Sequence, residues 1–228
     1  MYCMFYGYDL EYDDSCFVPT TITKFTAINV PVEGKTVLDL GCGIGPLAVY
    51  FAKNGAKSVT ASDVYDKHIY YTKRNVAINQ STDPTGTQVD TIQSDLFENI
   101  DDKFDVIACD VSGIDRRVAE MTGWFPKGVP TADETGADII CRAIREAPYH
   151  LNKGGELYIC TAQFSDVERI KEEMNSSTMM TEPEHVFTKQ IPFSKILLEN
   201  IGDLDPSHYT KKGSRYVWEF GLWKMKLI

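Results

Sequence analysis

Four aspartates, each placed where an apolar run gives way to a loop, are the residues best placed to do chemistry. Asp39 stands just before Gly41-Cys42-Gly43-Ile44-Gly45, and Asp63 closes Val59-Thr60-Ala61-Ser62. Asp95 follows Val89-Asp90-Thr91-Ile92-Gln93-Ser94, and Asp110 ends Phe104-Asp105-Val106-Ile107-Ala108-Cys109. At a second strand tip, Asp63, with Val64 beside it, is placed to accept both hydroxyls of a ribose. Asp39 would repel a diphosphate, but it suits an ammonium group or the ordered water around an amino-acid ligand. S-adenosylmethionine carries that ammonium and no phosphate.

These side chains need a scaffold that brings strand tips together. Thr36–Leu40 reads as a buried strand, and the glycines after it as a tight turn into a helix in which Leu47, Ala48, Phe51 and Ala52 recur at helical spacing. Pro46 suits the first turn of that helix, and Asn54-Gly55 ends it. Asp66 is placed to cap a second helix running to Asn79, with Ile69, Tyr70, Val76 and Ile78 as its buried side and His68 as a surface or core histidine. Residues 80–87 are turn-rich. Strands follow at 89–92 and 103–110, a helix at 138–149, a strand up to Cys160, a helix at 164–174, and strands at 186–191 and 215–227. Regular alternation of helix and strand predicts a doubly wound, mostly parallel α/β sheet.

The chain resembles the class I S-adenosylmethionine-dependent methyltransferases, and within them the group of release-factor glutamine and ribosomal RNA guanine-N2 methyltransferases. The likeness is carried by Cys16-Phe17-Val18-Pro19-Thr20-Thr21-Ile22-Thr23, the glycine loop, Lys73-Arg74-Asn75-Val76-Ala77-Ile78-Asn79 and Ser94-Asp95-Leu96-Phe97-Glu98. It implies a seven-stranded Rossmann-like sheet with a reversed C-terminal hairpin, formed by residues 31–228 behind an N-terminal segment, 1–30. It also implies that Phe17, Thr20, Asp39, Gly41, Cys42, Gly43, Gly45, Asp63, Val64, Asp95, Leu96 and Cys109 contact S-adenosylmethionine. Asp95 would take the adenine amino group, and the Leu96 backbone the ring. Asn75 and Asn79 serve packing and helix termination. One departure stands out: the group's Asn-Pro-Pro-Tyr/Phe is replaced by Cys109-Asp110-Val111-Ser112-Gly113. Asp110, as a proton acceptor, as the holder of a cationic group or simply as a turn cap, and Ser112, as a hydrogen-bonding group that orients the substrate, are the catalytic candidates.

Composition sets further expectations. A chain of 228 residues, 43% hydrophobic, supports one domain. Its apolar runs are too short for a membrane span and its start lacks signal-peptide order, so a cytoplasmic protein is expected. Six scattered cysteines and four dispersed histidines predict reduced thiols and no metal. The net charge of −10 weighs against nucleic acid. Local charge is uneven, acidic at Asp9–Asp14 and basic at Lys211, Lys212, Arg215, Lys224 and Lys226, which reads either as solvated faces or as a phosphate or carboxylate docking surface. Tyr2, Phe5, Tyr6, Tyr8, Tyr12 and Phe17 read as a lid over the cofactor or as simple packing. Arg116 and Arg117 in the long 114–136 connection suit an anionic substrate group or solubility, and His208 and Tyr209 are further substrate candidates.

The leading expectation is methyl transfer to an oxygen or nitrogen of a small polar metabolite, with a homo-oligomer left open. Attack on the cofactor's aminobutyrate chain, releasing methylthioadenosine, and a non-catalytic cofactor-binding subunit are the rivals.

Overall fold

Two short strands, β1 (Tyr2–Phe5) and β2 (Tyr8–Glu11), form an antiparallel hairpin, and α1 (Thr21–Asn29) follows them. Helices and strands then alternate as β3 (Thr36–Leu40), α2 (Pro46–Lys53), β4 (Ser58–Asp63), α3 (Asp66–Gln80), β5 (Gln88–Gln93) and β6 (Phe104–Cys109). Next come α4 (Arg116–Thr122), α5 (Asp138–Glu146), β7 (Leu151–Ala162), α6 (Val167–Ser176), β8 (Glu184–Pro192), α7 (Lys195–Glu199), β9 (Thr210–Lys212) and β10 (Arg215–Lys226). The structure is a computed structural model that describes residues 1–80, 86–126, 129 and 133–228; most of the turn-rich 80–87 run and Pro130 lie outside the described residues.

Seven strands form one path, β5-β4-β3-β6-β7-β10-β8. The first five are parallel, and β10 runs antiparallel between β7 and β8, which is the reversed terminal hairpin. Short β9 adds an eighth strand on β10. Successive side chains on a strand face opposite sides, and the two cores divide along that period. Val37, Val106, Ala108 and Tyr158 pack with α2 and α3. Leu38, Leu40, Ile107, Cys109, Leu157 and Ile159 pack with α5 and α6. Truncating a fully buried residue such as Leu38 to alanine costs about 2–5 kcal/mol.

Local details depart from the sequence expectations for identifiable reasons. The helix expected from Phe164 begins at Val167, because Asp166 Oδ1 accepts from Arg169 N at 3.1 Å and caps it there; Phe164 is instead fully buried in the preceding turn. The helix from Asp138 gives way to a 3₁₀ turn at residues 147–150, where Pro148 falls. Tyr70 is exposed, and the buried side of α3 includes Asn75. That amide is a tie: Nδ2 donates to Glu11 O (3.0 Å) and Ile44 O (2.8 Å), while Oδ1 accepts from Glu11 N (2.6 Å). With Asn79 donating to Asp9 O, it fastens the N-terminal hairpin to α3. All six cysteines are free thiols, five of them buried. No helix among the described residues is long and apolar enough to cross a membrane.

Candidate functional site

The carboxyl ends of β3, β4, β6 and β7 open on a cavity of about 420 Å³, closed on one side by residues 17–23 before and within α1. Parallel sheets bind ligands at this pole because successive strand tips and helix starts converge there. The glycine loop forms the floor. Gly41 (φ +79°) and Gly43 (φ +54°) both need the left-handed region, and a Cβ on Gly41 would meet Val111 Cγ1 at 2.7 Å. A Cβ on Gly43 would meet nothing nearer than Phe17 O at 4.0 Å, so it faces open cavity. Gly41 N and Cys42 N donate to Ser62 O (2.9 and 2.8 Å), locking the loop to β4.

Asp63 is held on both oxygens. Oδ2 accepts from Gly43 N (2.9 Å), and Oδ1 accepts from Tyr65 N (3.0 Å) with His68 Nδ1 also 3.0 Å away. His68, expected to be a surface or core histidine, is a buried cavity residue. The signal that could have exposed it is its spacing: five residues past a strand-tip acid, it begins the helix that turns back over that acid.

Asp39 is 1% exposed, and neither carboxylate oxygen finds a hydrogen-bond partner among the described residues. Burial first, then the neighbouring Asp110 and Asp63 carboxylates, push its pKa well above the carboxylate range. A buried acid without a partner is costly unless it is protonated or meets a cation. Asp110 lies across the floor, where burial raises its pKa to about 6 while hydrogen bonds from Thr23 and Cys160 oppose the rise. Leu96 is one of two non-glycine residues with positive φ (+49°) among the described residues, a strained backbone set at the cavity wall. At the rim Arg142 pairs with Asp95 at 3.2 Å.

The structure therefore brings together Phe17, Thr20, Asp39, Gly41, Cys42, Gly43, Asp63, Val64, Asp95, Leu96, Asp110 and Ser112 around one cavity. Two expected residues stand outside it. Gly45 starts α2 with φ +85°, and its Cβ would strike Thr72 within 2.9–3.2 Å, so it serves the packing of α2 on α3. Cys109 is one residue short of the tip, and strand alternation turns its thiol into the core beneath α5 and α6.

The aromatic segment is likewise divided. Phe17 lines the cavity, whereas Phe5 is core and Tyr6 packs on Tyr50. Of the 114–136 connection, Ile114, Phe125, Val129 and Asp133 reach the cavity, with the Phe125 ring 5.1 Å from that of Phe17. Arg116 pairs with Glu134, and Arg117 faces a second cleft that also contains His208 and shares Thr161 with the first. Tyr209 belongs to the aromatic cluster around Phe193. No cluster able to hold a metal occurs among the described residues.

Residues 21–110 match the methyltransferase small domain family. A putative protein N5-glutamine methyltransferase of Methanocaldococcus jannaschii is 27% identical over 172 residues, covering 75% of this chain and 83% of that one. The release factor glutamine methyltransferase of Rhodopirellula baltica is 31% identical over 69% of this chain and 58% of its own length. For the ribosomal RNA small subunit methyltransferase C of Hamiltonella defensa the figures are 29%, 61% and 35%. The chain thus spans less than two thirds of the last two. In fold it is similar to the ribosomal protein L11 methylase of Lactobacillus delbrueckii (TM-score 0.54, 19% identity, 89% of this chain and 75% of that one). It is also similar to the T. thermophilus 16S rRNA N2 G1207 methyltransferase solved with AdoMet and guanosine (TM-score 0.58, 16% identity, 97% of this chain and 49% of that one). Relatives named for protein and RNA acceptors overturn two expectations, a small-metabolite substrate and the reading of nucleic acid as an unfavoured partner. Net charge misled because it sums the whole surface, whereas an acceptor meets only one part of it.

Proposed function

We propose that this chain, a class I S-adenosylmethionine-dependent methyltransferase, transfers methyl to a nitrogen on a macromolecular acceptor presented to Asp110. The cavity fits the cofactor by its chemistry: unpartnered Asp39 suits a cationic amino-acid group, Asp63 a ribose, and open Gly43 a closely approaching ligand. Asp95 and the Leu96 backbone would meet the adenine, and Phe17, Thr20, Gly41, Cys42 and Val64 complete the lining. When bound, the cofactor supplies a methyl carbon already activated by its sulfonium.

The protein's part is to bind, align and keep out water. Among the described residues, six aspartates line the cavity against one arginine and one histidine, a field that favours the cationic cofactor and opposes an anionic nucleophile. A nitrogen bearing N–H suits that field. Asp110, the observation that carries the reading, accepts a hydrogen bond from it, holds its lone pair in line and takes up the proton lost on methylation. Ser112 adds a second polar contact, and the Phe17–Phe125 pair shields the mouth.

The test is incubation of the protein with methyl-tritiated S-adenosylmethionine and macromolecular cell fractions, followed by mild base. Base-stable label recovered as an N-methylated amino acid or base is the expected result, because methyl esters hydrolyse and methyl ethers yield neither product. Volatile label, or methylthioadenosine as the product, would refute it.

A further inference from the structure

We infer that the β9–β10 hairpin, with the end of β8, is the surface on which an RNA acceptor docks its phosphate backbone beside the cavity. The inference rests on the methyl-transfer reading and adds the acceptor class to it. Residues 209–216 read Tyr-Thr-Lys-Lys-Gly-Ser-Arg-Tyr, three cations without an acid in a chain of net charge −10. Lys211, Lys212 and Arg215 are all exposed, as are Lys189 on β8 and Lys195 at the start of α7. Their partners leave charge available: Lys211 lies over the Tyr216 ring, Lys189 over Phe25, and Lys212 donates to Gln190 Oε1. Lys195 alone pairs with an acid, Glu199, at 3.6 Å on the surface, where such pairs are weak.

Register places this patch at the active pole. Cys109, one residue before Asp110, lies level with Ile159, and Ala162 lies level with Phe220. Arg215 is therefore five residues beyond the end of β7, roughly 15 Å further along the strand direction. β8 ends at the same pole, with Pro192 opposite Val217. Two strand spacings, about 10 Å, separate the β6 tip from β10 across the sheet, which together with the offset along the strands is a span of several nucleotides.

The ground between is open. Thr161 lines both the central cavity and the second cleft, and that cleft reaches Thr210 of β9. Of the six acids in the cleft, Asp115, Asp166 and Asp205 accept backbone N–H groups at helix starts, Glu168 pairs with Lys171 and Glu219 accepts from Gln190, while Asp203 has no side-chain partner among the described residues, so the phosphates follow the basic hairpin and not the cleft floor. Tyr209 and Tyr216, with ring centroids 5.6 Å apart, add aromatic edges beside the lysines, the combination that serves single-stranded nucleic acid. Lysines on edge strands also deter strand pairing, but Arg215 lies on β10, an internal strand.

The test uses the full chain and a fluorescent stem–loop RNA, with affinity followed by anisotropy as salt is raised. Five phosphate contacts predict a log–log slope of roughly −3.5 to −4.5, so affinity drops about 100- to 500-fold between 50 and 200 mM salt. K211A/K212A/R215A is expected to flatten the slope by about 2–3 and weaken binding at least roughly tenfold at 100 mM salt. K57A/K103A/K153A removes the same charge at the opposite pole, beside the starts of β4, β6 and β7, and is expected to change binding less than about twofold. Equal losses in both variants, or no RNA binding by the wild type, would overturn the inference. In the tritium assay the hairpin variant is expected to lose label from the RNA fraction. Protein labelled equally by wild type and hairpin variant would also overturn it while leaving methyl transfer intact; no labelled macromolecule at all would mark failure of the broader reading.

Discussion

Asp110→Asn separates what this carboxylate does for the reaction from what it costs the fold. Burial raises its pKa from 3.8 to about 6, so between those values the folded chain holds a proton that the unfolded chain has lost. Stability therefore falls as pH rises from about 4 to 6 and then levels off, the reverse of a salt-bridged aspartate. Two units correspond to about 3 kcal/mol of penalty at pH 8, but only about 1 kcal/mol at pH 4.5. Asparagine cannot ionise, although it disturbs the hydrogen bonds from Thr23 and Cys160 by a similar amount at either pH. The variant's stability relative to wild type should thus improve by about 2 kcal/mol from pH 4.5 to pH 8, a difference of roughly 4–8 °C in melting temperature. Thermal melts followed by circular dichroism at both pH values read this directly, with turnover measured in parallel and expected to fall about 10²–10⁴-fold. A melting-temperature difference that is the same at both pH values would refute the assignment of a raised pKa to this half-buried carboxylate.

Other substitutions probe the rest of the site. Gly43→Asp should abolish S-adenosylmethionine binding in calorimetry by filling open cavity at a left-handed position, and Asp63→Ala should weaken it; undiminished affinity in both would remove the cofactor assignment. Because His68 touches Asp63, His68→Ala should lower cofactor affinity, and adding it to Asp63→Ala should cost little more, a non-additivity that a double-mutant cycle measures. Asn75→Ala leaves three backbone groups without their partner, so denaturant titration should show a loss of about 2–4 kcal/mol, with faster hydrogen exchange confined to the N-terminal hairpin if the tie is local. Phe125→Ala should raise KM for the acceptor more than it lowers kcat, since its ring shapes the mouth rather than the floor.

Order along the chain was enough to read the strand–glycine loop–helix unit at Thr36–Lys53, the acids at the tips of β3, β4 and β6, and the reversed last strand. Each is a local pattern: β-branched runs, glycines at left-handed turns and acids where runs stop record short-range sterics and solvation. The cofactor class followed from the same pattern, because Asp39 and Asp63 lie at fixed distances from one loop. What only packing decided was orientation and company. Strand alternation sent Cys109 into the core and Asp110 into the cavity, and α3 packing made Gly45 a spacer and His68 a cavity residue. The 114–136 connection divided itself, Phe125 to the mouth and Arg117 to the second cleft. The raised pKa of Asp110 comes from burial, opposed by Thr23 and Cys160, all supplied by segments far apart in sequence. Charge followed the same rule: −10 is a property of the composition, whereas a basic hairpin beside the active pole exists only because β10 turns back along β7. A sum over residues carries no positions, and an acceptor responds to position.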